Sequence, residues 1–232
     1  MAQVFRGGKQ DLRVRLAEEV KNLHRELGNR IADALRDSGY DFVKIVKILK
    51  VFYDVHGIPG FIALVRASNG GYVYSLYTRG RVDIGGFRVE ALLSSDGYIE
   101  IEMEDMENIY RLSIAIKIDP RRVETYCLSL YGWEHPLLYF RYCSDGGIID
   151  MADYSSYVEE KELESLVNML HKKRNTIVKI VEDVLKIPIN IEGIVRFVEE
   201  MIAEKMTRAH LNEYEITRLL YILALLPSIK KT

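Results

Sequence analysis

The stretch YVYSLYTRGRV, residues 72–82, combines two kinds of side chain that together can bind single-stranded nucleic acid. Aromatic rings on an open sheet face can stack on bases, and neighbouring guanidinium groups can bind phosphates. The candidate residues of such a surface are three tyrosines and three arginines of the predicted sheet: Tyr72, Tyr74, Tyr77, Arg79, Arg81 and Arg111. The interpretation requires Tyr72, Tyr74, Arg79 and Arg111 to converge on one exposed face.

The same stretch can also be read as an ordinary strand and turn. Tyrosine is a favoured strand residue, because its ring packs against neighbours while its hydroxyl reaches water. A nearby acidic run would also sit on or beside this sheet and repel phosphate: Glu100, Glu102, Glu104, Asp105 and Glu107. We therefore favour structural tyrosines and keep the ligand surface as the alternative.

Three lysines, Lys44, Lys47 and Lys50, recur every three residues and so share one face of a predicted helix. Three ammonium groups in a row could bind a phosphate backbone. A solvated face on an otherwise buried helix explains the spacing equally simply, and we favour it.

Three carboxylates, Asp145, Asp150 and Asp153, bracket a glycine-containing loop and could hold Mg²⁺ or Mn²⁺ in a metal-dependent phosphoesterase. Their spacing matches no EF-hand, and Asp153 could instead cap the helix that follows. The five histidines form no HExxH pair, and GxxxxGK[ST], GxGxxG and GxSxG are all absent. The sequence therefore leans against an enzyme, and we predict no cofactor.

Two cysteines, Cys127 and Cys143, are too few for a disulfide scaffold or a four-ligand zinc site. Both lie in predicted neighbouring strands, so a cross-strand disulfide is one expectation. Two buried free thiols are the favoured one.

Composition indicates a folded protein without a membrane segment. The net charge of −2 argues against a generally basic nucleic-acid coat. Only two glutamines occur among many ionisable residues, which is typical of hyperthermophile proteins. The opening MAQVFRGGKQ has no apolar run, and LLYILALLP at 219–227 is far shorter than the ~20 residues that cross a bilayer. We expect a soluble, cytoplasmic protein.

Hydrophobic periodicity divides the chain into three parts that form one α+β body over residues 1–232. Residues 10–58 have helical spacing and predict two helices, the second apolar on most sides. Residues 59–143 alternate with period two and predict an antiparallel meander of six or seven strands. Residues 154–232 predict three helices.

Without a compact chemical motif, we expect a non-catalytic binding or assembly protein that acts through amphipathic helices and an open sheet face. The expected partner is a second copy of the chain or another protein. Single-stranded nucleic-acid binding and a metal-dependent phosphoesterase are the alternatives.

Overall fold

A computed structural model describes residues 4–107, 110–118, 123–131, 138–143, 148–149, 159–208 and 210–231. The helices in these ranges are α1 (Val4–Asp37), α2 (Phe42–His56), α3 (Glu160–Lys186), α4 (Ile191–Thr207), α5 (Glu213–Leu225) and a short 3-10 helix, η1 (Leu226–Ile229). The strands are β1 (Phe61–Arg66), β2 (Tyr72–Leu76), β3 (Val82–Ile84), β4 (Phe87–Ser94), β5 (Tyr98–Asp105), β6 (Arg111–Ile118), β7 (Val123–Tyr131), β8 (Leu138–Cys143) and β9 (Ile148–Ile149). Two α-helices precede the sheet and three follow it, which confirms the predicted α+β class.

The strands of the described ranges form one antiparallel sheet in the order β2-β1-β4-β5-β6-β7-β8-β9. Seven of them have five or more residues, as predicted, and the short β3 and β9 are additional. From β4 onward the sheet is the expected meander. Before β4 it departs from a meander, because β1 pairs with the second half of β4 and β3 with the first half.

One face of the central strands β4 to β6 is buried. On β4 the residues Phe87, Val89, Ala91 and Leu93 are buried, whereas those between them are half-buried or exposed. The same alternation continues on β5 and β6, in register with β4. We call the buried side the core face and the other side the open face.

The long helices α1 and α3 pack against each other and supply much of the core. Arg30 of α1 lies 3.2 Å from Glu182 of α3, and Glu19 of α1 is bonded to Arg174 of α3. From the second of these pairs to the first, the residue number increases in both helices, so the two helices run parallel. The predicted apolar stripe of α1 is buried throughout: Leu16, Val20, Leu23, Leu27, Ile31 and Ala34.

The free edge of the sheet at β2 is covered by the segment between α3 and α4. The amide of Tyr74 donates to the carbonyl of Pro188 at 2.9 Å, and the amide of Asn190 donates to the carbonyl of Tyr74 at 2.8 Å. Backbone groups of an edge strand are thereby paired within the chain, which removes a template for aggregation.

The C-terminal segment ties the last helices to the first ones. The Lys231 ammonium donates to the carbonyls of Leu35 and Arg36 at 3.1 and 3.0 Å, at the C-terminal end of α1. A cation there compensates the negative end of the helix dipole. In the described part of the chain, no helix has the length and apolar character needed to cross a membrane.

The favoured expectation of two free thiols is wrong, because Cys143 is disulfide-bonded. The one other cysteine of the sequence, Cys127, lies directly opposite it in the β7–β8 pair. Opposed residues of an antiparallel pair have Cβ atoms close enough for a disulfide bridge. The sequence could not fix this register, which includes an irregularity between Leu130 and Tyr131.

A buried ion pair joins the sheet to α3. The Asp105 side chain at the end of β5 is 0% exposed, and the Lys173 ammonium of α3 lies 2.9 Å from its carboxylate. Lys173 also bonds to Glu107 at 2.7 Å and lies over the Phe87 ring at 5.4 Å. Desolvation opposes the charge of Lys173, but the hydrogen bonds to Glu107 and Asp105 raise its pKa above the usual value.

We predict that Lys173→Met lowers the free energy of unfolding by about 3 kcal/mol, because it removes the cation from a fully buried carboxylate. Its neighbour Lys172 is exposed, so the matched change Lys172→Met should stay within about 0.5 kcal/mol of the wild type. Denaturant unfolding of the three proteins measures both effects. Equal stabilities for the two variants would contradict the assigned role of this pair.

Candidate functional site

The predicted convergence of Tyr72, Tyr74, Arg79 and Arg111 on one exposed face is wrong. Tyr74 is opposite the buried Leu64 and is itself 6% exposed on the core face, where burial raises its pKa above the usual range. Tyr72 lies on the same side, and its hydroxyl donates to the carbonyl of Asp83 at 3.0 Å. Arg111 lies on the opposite, open face. Period-two alternation separates two faces but does not say which of them the helices cover.

Arginines of the open face are already paired with carboxylates. Four residues stand directly opposite one another on adjacent strands with alternating charge: Asp83, Arg88, Glu104 and Arg111. Arg81 lies 3.3 Å from Glu90 and 3.9 Å from Glu104, and Arg111 lies 4.0 Å from Glu102. Such a network offers little excess positive charge for a phosphate backbone.

The three lysines of α2 do not act as one row. The Lys44 ammonium donates to the carbonyl of Ser228 at 3.1 Å and lies 3.7 Å from the carboxylate of Asp41. Lys47 and Lys50 are exposed. Lys44 therefore holds η1 against the start of α2, which leaves two of the three predicted phosphate ligands in solvent.

The predicted metal ligands Asp145, Asp150 and Asp153 lie outside the described residues. Within the described ranges, no group of three or more His, Cys, Asp or Glu side chains is placed to hold a metal ion.

A different cluster forms where α2, β1, the end of β2 and α4 meet. We call Phe52, His56, Phe61, Tyr77 and Phe197 the aromatic cluster. Around Tyr77, the ring centroids of Phe61, Phe197 and Phe52 lie at 5.3, 5.8 and 6.0 Å. The His56 ring stacks on Phe52 at 5.7 Å. Five rings from four elements thus form one continuous contact.

The turn between α2 and β1 brings these elements together. A side chain at Gly60 would place its Cβ 2.7 Å from the carbonyl oxygen of Leu49, so the chain can approach α2 this closely only with glycine. Phe61 follows immediately and comes to lie beside Tyr77.

Tyr77 has an unusual backbone and an unusual hydroxyl. Its φ of 54° is the only positive value at a described non-glycine residue. That conformation costs about 1–3 kcal/mol and is concentrated at functional sites. Its hydroxyl is buried without a hydrogen-bond partner among the described residues, and burial raises its pKa. Tyr77 alone among the described residues combines both features.

His56 presents a second buried polar atom without a partner. Its Nδ1 lies 3.4 Å from the Lys205 ammonium of α4, which can only donate, so Nδ1 accepts. The ring proton of neutral His56 is therefore on Nε2, and Nε2 has no hydrogen-bond partner within the described part of the chain.

Two cations flank the aromatic cluster. The Arg79 guanidinium lies 5.6 Å from the centroid of Phe61, and Lys205 lies against His56. Neither forms an ion pair with any carboxylate of the described residues. Of the predicted site residues that the structure describes, only Tyr77 and Arg79 are brought together here.

Sequence reasoning missed His56, Phe197 and Lys205 as members of this site. His56 and Lys205 are 149 positions apart, and neither belongs to a local motif. The only sequence signal was that Tyr77 ends a strand directly before an arginine-containing turn.

The outer side of α5 is a second unusual surface. Its residues recur at helical spacing and we call them the α5 stripe: Tyr214, Thr217, Leu220, Tyr221 and Ala224. Tyr214, Leu220 and Tyr221 are 63%, 53% and 52% exposed. Large apolar side chains that remain exposed in a row are typical of an interaction surface.

We predict that His56 makes stability fall as the solution is acidified. Burial lowers the pKa of His56, Lys205 lowers it further, and Glu215 opposes them. The unfolded chain therefore binds the proton first as pH falls below about 6.5, which favours unfolding. Between about pH 7.5 and about pH 5.5, His56→Gln should lose less unfolding free energy than the wild type. The exposed control variant His210→Gln should keep the wild-type pH dependence. Identical pH dependence in His56→Gln and the wild type would refute the assignment.

Comparison with known proteins supplies no further guide to these surfaces: no family model, curated protein or solved structure matches this chain.

Proposed function

We propose that this chain is a non-catalytic assembly protein whose copies associate with each other through the α5 stripe. The observation that carries the proposal is the exposure of Tyr214, Leu220 and Tyr221 along one side of one helix. Tyrosine and other large side chains are enriched in protein interfaces, where the ring packs and the hydroxyl stays near water.

A second copy is the occupant that the charges favour. The five side chains of the α5 stripe are uncharged, and the exposed Glu213 on the same side lies in the first turn of α5, so an antiparallel twofold pair keeps the two copies of Glu213 at opposite ends of the interface. The nearby cation Arg218 is paired with Asp54 of α2 at 2.8 Å and lies under the Tyr214 ring at 4.6 Å. Arg218 is therefore neutralised within its own subunit.

The length of α5 is also suited to a helix pair. Thirteen residues of α5 extend over about 20 Å, and two such helices can pack along their length. A stable dimer needs about 800 Å² from each partner, so the proposed interface extends beyond α5 to the surfaces beside it.

The two alternative functions have no comparable support. The nucleic-acid surface required four side chains on one face, and they lie on different faces of the sheet or beyond its end. The phosphoesterase rests on three aspartates outside the described residues.

We expect the wild-type chain to sediment as a dimer at micromolar concentration and the double variant Leu220→Glu with Tyr221→Glu as a monomer. Two carboxylates on each copy would face two on the other across the twofold axis, and the buried apolar area would be lost. Analytical ultracentrifugation measures both states. The matched control is Val14→Glu on α1, where the side chain is also 52% exposed, and it should leave the dimer intact. A monomeric wild type would contradict the proposal.

A further inference from the structure

A cavity of about 410 Å³ lies between the first half of α3 and the turn that follows β5. Its volume falls within the range of small-ligand sites. None of its described wall residues belongs to the α5 stripe, so the proposed assembly role does not use it. We call it the α3 cavity.

The inner wall of the α3 cavity is one line of side chains along the helix. Ser165, Met169 and Lys173 follow one another at a spacing of four residues, which puts them on one side of α3. Both ends of this line are fixed to the sheet. Ser165 shares a hydrogen bond with the hydroxyl of Tyr110. The Lys173 ammonium lies 2.9 Å from the carboxylate of Asp105. The inner wall is therefore held in place before any ligand arrives.

The rim of the α3 cavity carries polar groups that are free to bind. Four exposed side chains follow one another at spacings of three and four residues, and so form a neighbouring line of the same helix: Lys161, Glu164, Asn168 and Lys172. None of the four makes a side-chain hydrogen bond or an ion pair within the described part of the chain. The rim thus offers two ammonium groups, a carboxylate and an amide.

The arrangement of charge disfavours a charged ligand. Toward the start of α3, Lys161 stands one turn from Glu164. Toward the other end, Lys172 stands next to Lys173, whose ammonium is bonded to the carboxylate of Glu107 at 2.7 Å. Because each end carries both signs, a charged group would be attracted and repelled at the same place. A hydroxyl group meets no such conflict, because it donates to a carboxylate and accepts from an ammonium.

The walls also disfavour an apolar ligand. The one large apolar side chain of the described walls, Met169, is only 3% exposed. An apolar molecule would displace water from the polar rim without replacing the hydrogen bonds of that water, which lowers affinity. A molecule with several hydroxyl groups replaces them.

We propose that the α3 cavity binds a neutral carbohydrate of one or a few hexose units. Hydroxyl groups of the sugar donate to Glu164 and accept from Lys172. The amide of Asn168 lies between these two residues along the helix and both donates to and accepts from the ring hydroxyls.

The test is a saturation-transfer-difference NMR titration of the full chain at neutral pH with glucose, mannose and galactose. We expect saturable binding of at least one of these sugars with millimolar affinity, which is typical of a small ligand. The charged analogues glucuronate and glucosamine should bind no more than about tenfold tighter than the best neutral sugar, because each meets a like charge at either end of the cavity. Tighter binding of either analogue would overturn the proposal. So would an absence of saturable binding by all three sugars.

Two variants locate the bound sugar. Glu164→Leu should weaken its binding about tenfold and Asn168→Leu about fivefold, because a hydrogen bond to a charged group contributes more than one to a neutral amide. The matched control is Asn175→Leu, which changes an exposed asparagine seven residues further along α3 and outside the cavity walls. That control should keep the wild-type affinity. Leucine favours helix more than asparagine does, so α3 should stay intact in these variants, and far-UV circular dichroism checks this. Wild-type affinity in both Glu164→Leu and Asn168→Leu would refute the site.

The result is separable from the assembly proposal. The Leu220→Glu, Tyr221→Glu double variant should retain sugar binding whether or not it dissociates into monomers. Loss of binding in that variant, with unchanged binding in Asn168→Leu, would place the sugar on the α5 stripe and overturn the site at the α3 cavity.

Discussion

Burial of one face of the β4–β5–β6 sheet is the constraint on which the rest of the structure depends. The apolar residues of these strands alternate with charged or small ones, so the sheet can be stable only if something covers its core face. Helix α2 contacts β4 and β6, and α3 is fastened to the end of β5 by the buried pair of Lys173 and Asp105. Once this side is chosen, each side chain of these three strands is assigned to the core face or to the open face.

The open face follows directly from that choice. The charged side chains of the open face on β3 to β6 stand opposite one another on adjacent strands and form ion pairs. Asp83, Arg88, Glu104 and Arg111 alternate in sign because directly opposite residues of an antiparallel sheet are nearest neighbours. Such a surface is well solvated and has little excess charge. It explains the many arginines of this region without a nucleic-acid ligand.

Near the end of β2, the Tyr77 hydroxyl and His56 Nε2 are buried without hydrogen-bond partners among the described residues. At the end of β2 the chain takes a strained turn at Tyr77, and the rings of α2 and α4 close around it. On the far side of α2, Asp54 holds α5 through Arg218. His56 and Asp54 are two residues apart on one helix, so the aromatic cluster and the proposed assembly surface are both attached to α2.

The sequence by itself determined the class of fold, the order of the elements and most of the buried residues of α1. Those features depend on local spacing, such as the three-and-four repeat from Leu16 to Ala34 and the alternation along β6. The local pattern also placed the turn after β2. It could not predict that β1 pairs with β4, because strand order depends on contacts between segments that are distant in the sequence.

Only the tertiary structure decided which side of the sheet is covered, and therefore that Tyr74 is buried while Arg111 lies half-buried on the open face. It also decided the register that opposes Cys127 to Cys143, since a shift of one residue would have turned them to opposite faces. The meeting of His56, Tyr77, Phe197 and Lys205 was likewise beyond the sequence, because contacts between distant segments leave no periodic signal in any one of them.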